Sequence, residues 1–204
     1  MSTRSQHKQN PEQNPEQEQH DKHNKHERMM YLRFAAMILT AMVVMYWVMF
    51  AGTWEWSHVQ FSESRVFMTL TMGGTMGLIM LAWMLNMYKS TTLNLVIIGV
   101  SLLLLVGGIY LDRSQTTVQD KAFMRGMIPH HSLAITRSER SELTDVRVCE
   151  LAVEISEAQR REILEMEWLI DDITQNGEAL TPEEAEARAV PDFDRPALRT
   201  CPTP

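Results

Sequence analysis

The chain has 204 residues and a formal net charge of −7, with 45% apolar and 22% charged residues. Two Cys cannot build a four-Cys zinc module or a disulfide framework, and a net acidic chain without a basic block does not suit nucleic acid as a partner. One number departs from the ordinary: 16 residues are Met, which is not among the common residues of globular proteins.

Residues 1–30 form a polar tail of Gln, Asn, Glu, His and Lys, predicted to be disordered and cytoplasmic. His20, His23 and His26 recur every third residue, with His7 further off. Such a tail could bind metal, though its composition is equally that of a solvated segment. A membrane domain is predicted over 31–111. It holds three charge-free runs, Phe34–Trp54 (21 residues), Val66–Tyr88 (23) and Ser90–Leu111 (22). About 20 residues suffice to cross roughly 30 Å of hydrocarbon at a rise of about 1.5 Å. Tyr46, Trp47, Trp54 and Trp56 near the end of the first run, with Trp83, Tyr88 and Tyr110, read as interfacial anchors. The first run lacks a small-residue cleavage site and is too long for a signal-peptide core, so it is expected to be retained.

Three spans put the two ends of the chain on opposite sides. The basic tally is close, five against four. Lys22, Lys25, Arg28, Arg33 and Lys89 stand on one side, and Arg65, Arg113, Lys121 and Arg125 on the other. The basic flank of the first span decides in favour of a cytoplasmic N-terminus. The C-terminal region would then lie in the periplasm of a bacterial cell, beyond its inner membrane.

Ten Met lie in the first two runs: Met37, Met42, Met45, Met49, Met68, Met72, Met76, Met80, Met84 and Met87. They read either as adaptable apolar filler or as a thioether track for a soft ion such as Cu(I). Gly73, Gly74 and Gly77 predict close helix packing. No span carries an ionisable residue at mid-depth, which argues against a proton-coupled pump.

A helical hairpin is predicted over 112–177. Residues 117–142 have helical periodicity, capped by Ser114 or Thr116, with Pro129 inside and a kink expected there. A turn near Leu143–Thr144 leads to a second helix over 145–175, capped by Asp145 or Thr144. Its apolar stripe runs from Val148, Leu151, Ala152 and Ile155 to Ile163, Met166, Leu169, Ile170 and Ile173. Asn176-Gly177 ends it. Residues 178–204 are predicted to be a flexible tail with a short helix opened by Thr181-Pro182. A hairpin alone leaves a long face open, so it must pack on the spans, on another protein or on a copy of itself; two copies would make a four-helix bundle. Cys149 and Cys201 could pair, or Cys149 could simply be buried.

The chemistry concentrates in Met124, Met127, His130 and His131. Met127 is three and four residues before the two His, one turn away. On the facing helix, Glu162 and Met166 are four apart, with Gln159 a turn earlier. Imidazole with thioether is a soft donor set, suited to copper and to Cu(I) especially. Di-iron bundles use Glu-x-x-His, whereas here the Glu position is Met127. No phosphate loop, Ser or Cys nucleophile motif or His-Glu-x-x-His is present, and no enzymatic activity is expected.

These residues resemble the family called domain of unknown function 305. Its pattern is carried by Asp120, Phe123, Met127, Ile128, Pro129, His130, His131, Ala134 and Ile135, then by Gln159, Glu162, Ile163 and Met166. The resemblance covers about residues 115–175 and implies an exported, ferritin-like helical domain associated with copper binding or tolerance. Family members commonly carry Met where this chain has Arg137, followed by Ser138. Members with two such hairpins build the bundle in one chain; this chain has one, so a homo-oligomer is expected.

The sequence therefore predicts an all-α membrane protein that holds copper through His130, His131, Met127, Met166 and Met124. Glu162 joins the site, with Gln159 behind it. Membrane lipid and a copper-delivery or efflux protein are the expected partners. Two alternatives stand beside this: a membrane scaffold whose His pair is structural, and a ferritin-like metal oxidase drawing on Glu154, Glu157, Glu162 and Glu165.

Overall fold

A computed structural model describes residues 15–201, with side chains from Lys25 onward. Among these residues all regular structure is helical: α1 (Pro15–Val48), a 3-10 turn (Trp56–His58), α2 (Glu63–Met84), α3 (Thr91–Ser114), α4 (Asp120–Arg140), α5 (Val146–Asn176) and α6 (Pro182–Ala187). Three stretches, Lys25–Val48, Glu63–Met84 and Thr91–Ser114, are long and apolar enough to cross a membrane. The chain is a membrane protein of three such helices followed by a helical hairpin.

The first helix differs from expectation in its start. Residues 15–30, predicted to be disordered, are helical. Glu, Gln, Lys and Arg are good helix formers, Pro15 suits a first helical position, and an apolar helix already formed downstream supplies the nucleus. His26 is exposed on this stretch. His7 and the side chains of His20 and His23 lie outside the described residues.

Ser62 and Ser90 cap α2 and α3 by accepting from the amides of Arg65 and Leu93. The two helices pack backbone to backbone. A Cβ on Gly74 would stand 2.5 Å from the Ser101 carbonyl oxygen, and one on Gly108 would stand 2.9 Å from that of Phe67. The close packing expected of the glycines is present, and only a hydrogen fits at those two contacts. Near the far end of the bundle α1 lies along α2 through Tyr31, Phe34 and Ile38, which cluster with Leu81 and Tyr88. The Tyr31 and Tyr88 rings are 4.9 Å apart, and the Tyr31 hydroxyl donates to Asn94 Oδ1 at 2.9 Å. Met30, Met42, Met76, Met80 and Met84 pack around this cluster, as flexible thioether side chains do in irregular seams. Trp47 and Trp83 stay exposed, as lipid-facing or headgroup-facing rings would.

The hairpin follows α3 after Gln115, whose left-handed φ of 51° ends that helix. Gln119 occupies the cap of α4 without a side-chain bond, in place of Ser114 or Thr116. Helix α4 runs on through Pro129. Asp145 caps α5, accepting from the Arg147 amide at 3.0 Å. Met124, Ile128 and Ile135 of α4 close on Ile163, Met166 and Ile170 of α5. Burying each such side chain contributes about 1.5–3 kcal/mol. In the first half of the predicted stripe on α5 only Ala152 is buried. Val148, Leu151 and Ile155 are exposed, and Cys149 and Ser156 are buried in their place. Small residues permit the closer approach there.

Two devices complete the hairpin. The tail after α6 lies along it. Leu198 N–H donates to Glu139 at 2.9 Å, Arg199 Nε–H donates to the Ser138 carbonyl at 2.7 Å, and Cys149 and Cys201 form a disulfide. The loop between the first two spans covers part of the face that the hairpin would otherwise leave open. Trp54 packs on the hairpin core with Arg160 and Arg140 at 5.1 and 5.3 Å from its ring centroid. Trp54 is therefore a docking residue for the hairpin, not the interfacial anchor it was expected to be. Trp56 remains exposed.

Candidate functional site

Consecutive positions on a helix diverge by about 100°, and His130 and His131 illustrate the consequence. His131 turns towards α5 and is 13% exposed at its side chain. Its Nδ1 stands 3.0 Å from Glu162 Oε2, and Gln159 Nε2–H donates to that same oxygen at 3.3 Å. The expected trio of His131, Glu162 and Gln159 is thus assembled. Yet Nδ1 makes no aligned hydrogen bond, although it is buried. The carboxylate is at ion-pairing distance but off the direction of the N–H, so the contact is electrostatic.

Burial lowers the pKa of His131, opposed by the Glu162 charge and reinforced by His130. The shift favours the neutral imidazole, the form that coordinates metals. His130 faces outward and is exposed, with its ring centroid 5.9 Å from that of His131. With Met127 it borders a cavity of about 670 Å³ between the hairpin and the nearby ends of the spans. The remaining two predicted ligands sit deeper. Met124 and Met166 lie within the hairpin core, with Met127 packed against its edge.

These residues fit a soft ion better than a hard one. An imidazole ligated at about 2.0 Å holds its centroid roughly 3.2 Å from the ion, so two rings on one ion lie at most about 6.4 Å apart. The observed 5.9 Å falls inside that limit. With the Glu162 carboxylate beside Nδ1, Nε2 is the ring nitrogen left for a ligand. Among the described residues no three His, Cys, Asp or Glu side chains converge on one metal-sized site. Met127 and His130 border one cavity, and thioether with imidazole is a soft donor pair.

Three residues escaped sequence reasoning. Ser132, fully buried directly after the His pair, accepts from Trp54 N–H at 2.7 Å and lies 2.8 Å from His58 Nδ1. His58 is itself buried, with Nε2 4.0 Å from Glu55. This knot ties the loop between the spans to the very turn that carries His130 and His131. The one available signal was a short inter-span loop reading Trp-Glu-Trp-Ser-His, unusually rich in groups that can donate and accept.

Residues 110–193 match the family model described as a domain of unknown function (DUF305). An uncharacterized protein of Acanthamoeba polyphaga mimivirus is 34% identical over 106 residues, 48% of this chain and 68% of the relative. No solved structure matches. The matched stretch contains the whole α4–α5 pair with its Met-Ile-Pro-His-His turn, and the chain belongs to the DUF305 family.

Proposed function

We propose that this protein is a membrane-anchored metal-binding protein whose hairpin holds a soft transition-metal ion, Cu(I) first among them, for sequestration or handover in copper tolerance. One observation carries the reading. His131 is largely shielded, with Glu162 3.0 Å from its Nδ1, beside an accessible His130 whose ring lies 5.9 Å away, with Met127 one turn earlier. When bound, the ion would be held by His130, His131 and Met127, with Met124 and Met166 as thioethers on the core side. Glu162 and Gln159 orient His131.

The hairpin on this reading faces the periplasm of a bacterial cell. Two features support that side. A Cys149–Cys201 disulfide suits an oxidising compartment. Lys25, Arg28 and Arg33 of α1 and Lys89 of the second loop flank the opposite end of the bundle. The exposed stripe of Val148, Leu151 and Ile155 supports a homo-oligomer closed through α5, and it is also the observation that favours the scaffold reading. The metal-oxidase reading has no such support, because its carboxylate cage is missing among the described residues.

Full-length protein purified from its own membrane and analysed for metals tests the proposal. It predicts copper near one equivalent per chain, lost in His130→Ala/His131→Ala. Copper absent from the wild type, or equally retained by the variant, would contradict it. A structural His pair predicts instead that the variant loses assembly, whatever the metal.

A further inference from the structure

Two span residues share the cavity that His130 borders. Met49, just beyond α1, and Met68, in the second turn of α2, line it together with Met127 and His130 of α4. Three thioethers and one imidazole from three segments therefore face one space of about 670 Å³. They border open volume instead of filling it. Met68 is 47% exposed, His130 is exposed, and Met49 and Met127 are half-buried. Met124 and Met166, by contrast, are packed in the core.

The polar lining does not suit a hard cation. Asp112 is the one carboxylate there, and Arg65 offsets its charge. The Arg65 guanidinium is already engaged, donating to the Met49 carbonyl and lying 4.1 Å from the Phe50 ring centroid. Ca²⁺ and Mg²⁺ need several oxygen donors. Thioether with imidazole selects a soft ion.

We propose that this cavity is an exchange port, in which Met49 and Met68 of the spans pass a soft monovalent ion to or from Met127 and His130. The inference rests on the reading of the His pair as a soft-metal site and adds ligands from outside the hairpin. It also gives a use to two of the Met residues of the spans, Met49 and Met68.

The test uses full-length protein in lipid nanodiscs, with Cu(I) added without oxygen as its acetonitrile complex against a chromophoric Cu(I) chelator. Met-to-Leu swaps conserve volume and are well tolerated. Met49→Leu/Met68→Leu is expected to weaken Cu(I) binding by about tenfold or more, and X-ray absorption should show fewer sulfur neighbours per copper. Met76→Leu/Met80→Leu, deeper in the membrane domain, should leave both readouts unchanged. If wild type binds, His130→Ala weakens binding and Met49→Leu/Met68→Leu matches wild type, the port is refuted while the hairpin site stands. If wild type itself holds no Cu(I), the hairpin reading falls and the port with it.

Discussion

His131 shows how one buried atom sets the chemistry. Its pKa is lowered from the ordinary 6.5, chiefly by burial. The folded chain therefore binds fewer protons at this position than the unfolded one. The stability it contributes is complete above pH 6.5 and is lost as pH falls through the lower folded value. Acidifying from pH 7.5 should lower the melting temperature of the hairpin, and His131→Gln should remove part of that slope. An unchanged slope in His131→Gln would mean that the imidazole is not held neutral. Glu139 follows the same sign at lower pH. Burial alone would raise its pKa, but the Ser156 hydroxyl, the Leu198 amide and Arg160 together hold it below the usual carboxylate value. Much of this residue-scale detail was legible in the sequence. His131, Glu162 and Gln159 meet because their spacings place them on facing helical turns. The Ser132–His58 contact was not, because it joins positions 74 residues apart with no local pattern to announce it.

At the scale of elements, the spans were readable because hydrocarbon thickness sets a length that charge-free runs must meet. Their packing was readable in part, through the glycines of α2. Gly74→Ile is expected to destabilise the α2–α3 pair by about 1–3 kcal/mol or more, because its side chain must displace the α3 backbone at Ser101 and Leu105. Gly107→Ala, where the added Cβ meets nothing within 4 Å, is the matched control and should be near neutral or slightly stabilising. Thermal unfolding in detergent measures both; equal effects would contradict the packing described. The orientation of α5 was misread in its first half. Periodicity placed Ala152 on the buried face, but Val148, Leu151 and Ile155, grouped with it, are exposed. The buried positions there are the small residues Cys149, Ala152 and Ser156. Helix α1 began earlier than hydropathy indicated, because propensity and a preformed apolar helix extend it through polar residues.

Across the whole molecule, the hairpin is built against the end of the spans that carries the first inter-span loop. Gly126 approaches Ser62, where an added Cβ would lie 3.4 Å from its hydroxyl oxygen, and Trp54 reaches Ser132. The tail disulfide closes a loop with a sequence separation of 52 residues, a constraint on the unfolded chain of about 4 kcal/mol in the chain-entropy account. The His pair therefore sits on a turn braced from three sides: by α5, by the inter-span loop and by the cavity wall of α2. Such bracing is what a preorganised ligand set requires, and it could not be read locally, since each brace is a long-range contact. The property that matters most is whether that turn binds a soft ion. The direct measurement is the long-range proton–nitrogen NMR spectrum of the histidine side chains, recorded on full-length protein before and after one equivalent of Cu(I). It predicts that the imidazole nitrogens of His130 and His131 shift while those of His58 do not. Unshifted His130 and His131 nitrogens, or shifts confined to the N-terminal histidines, would contradict it.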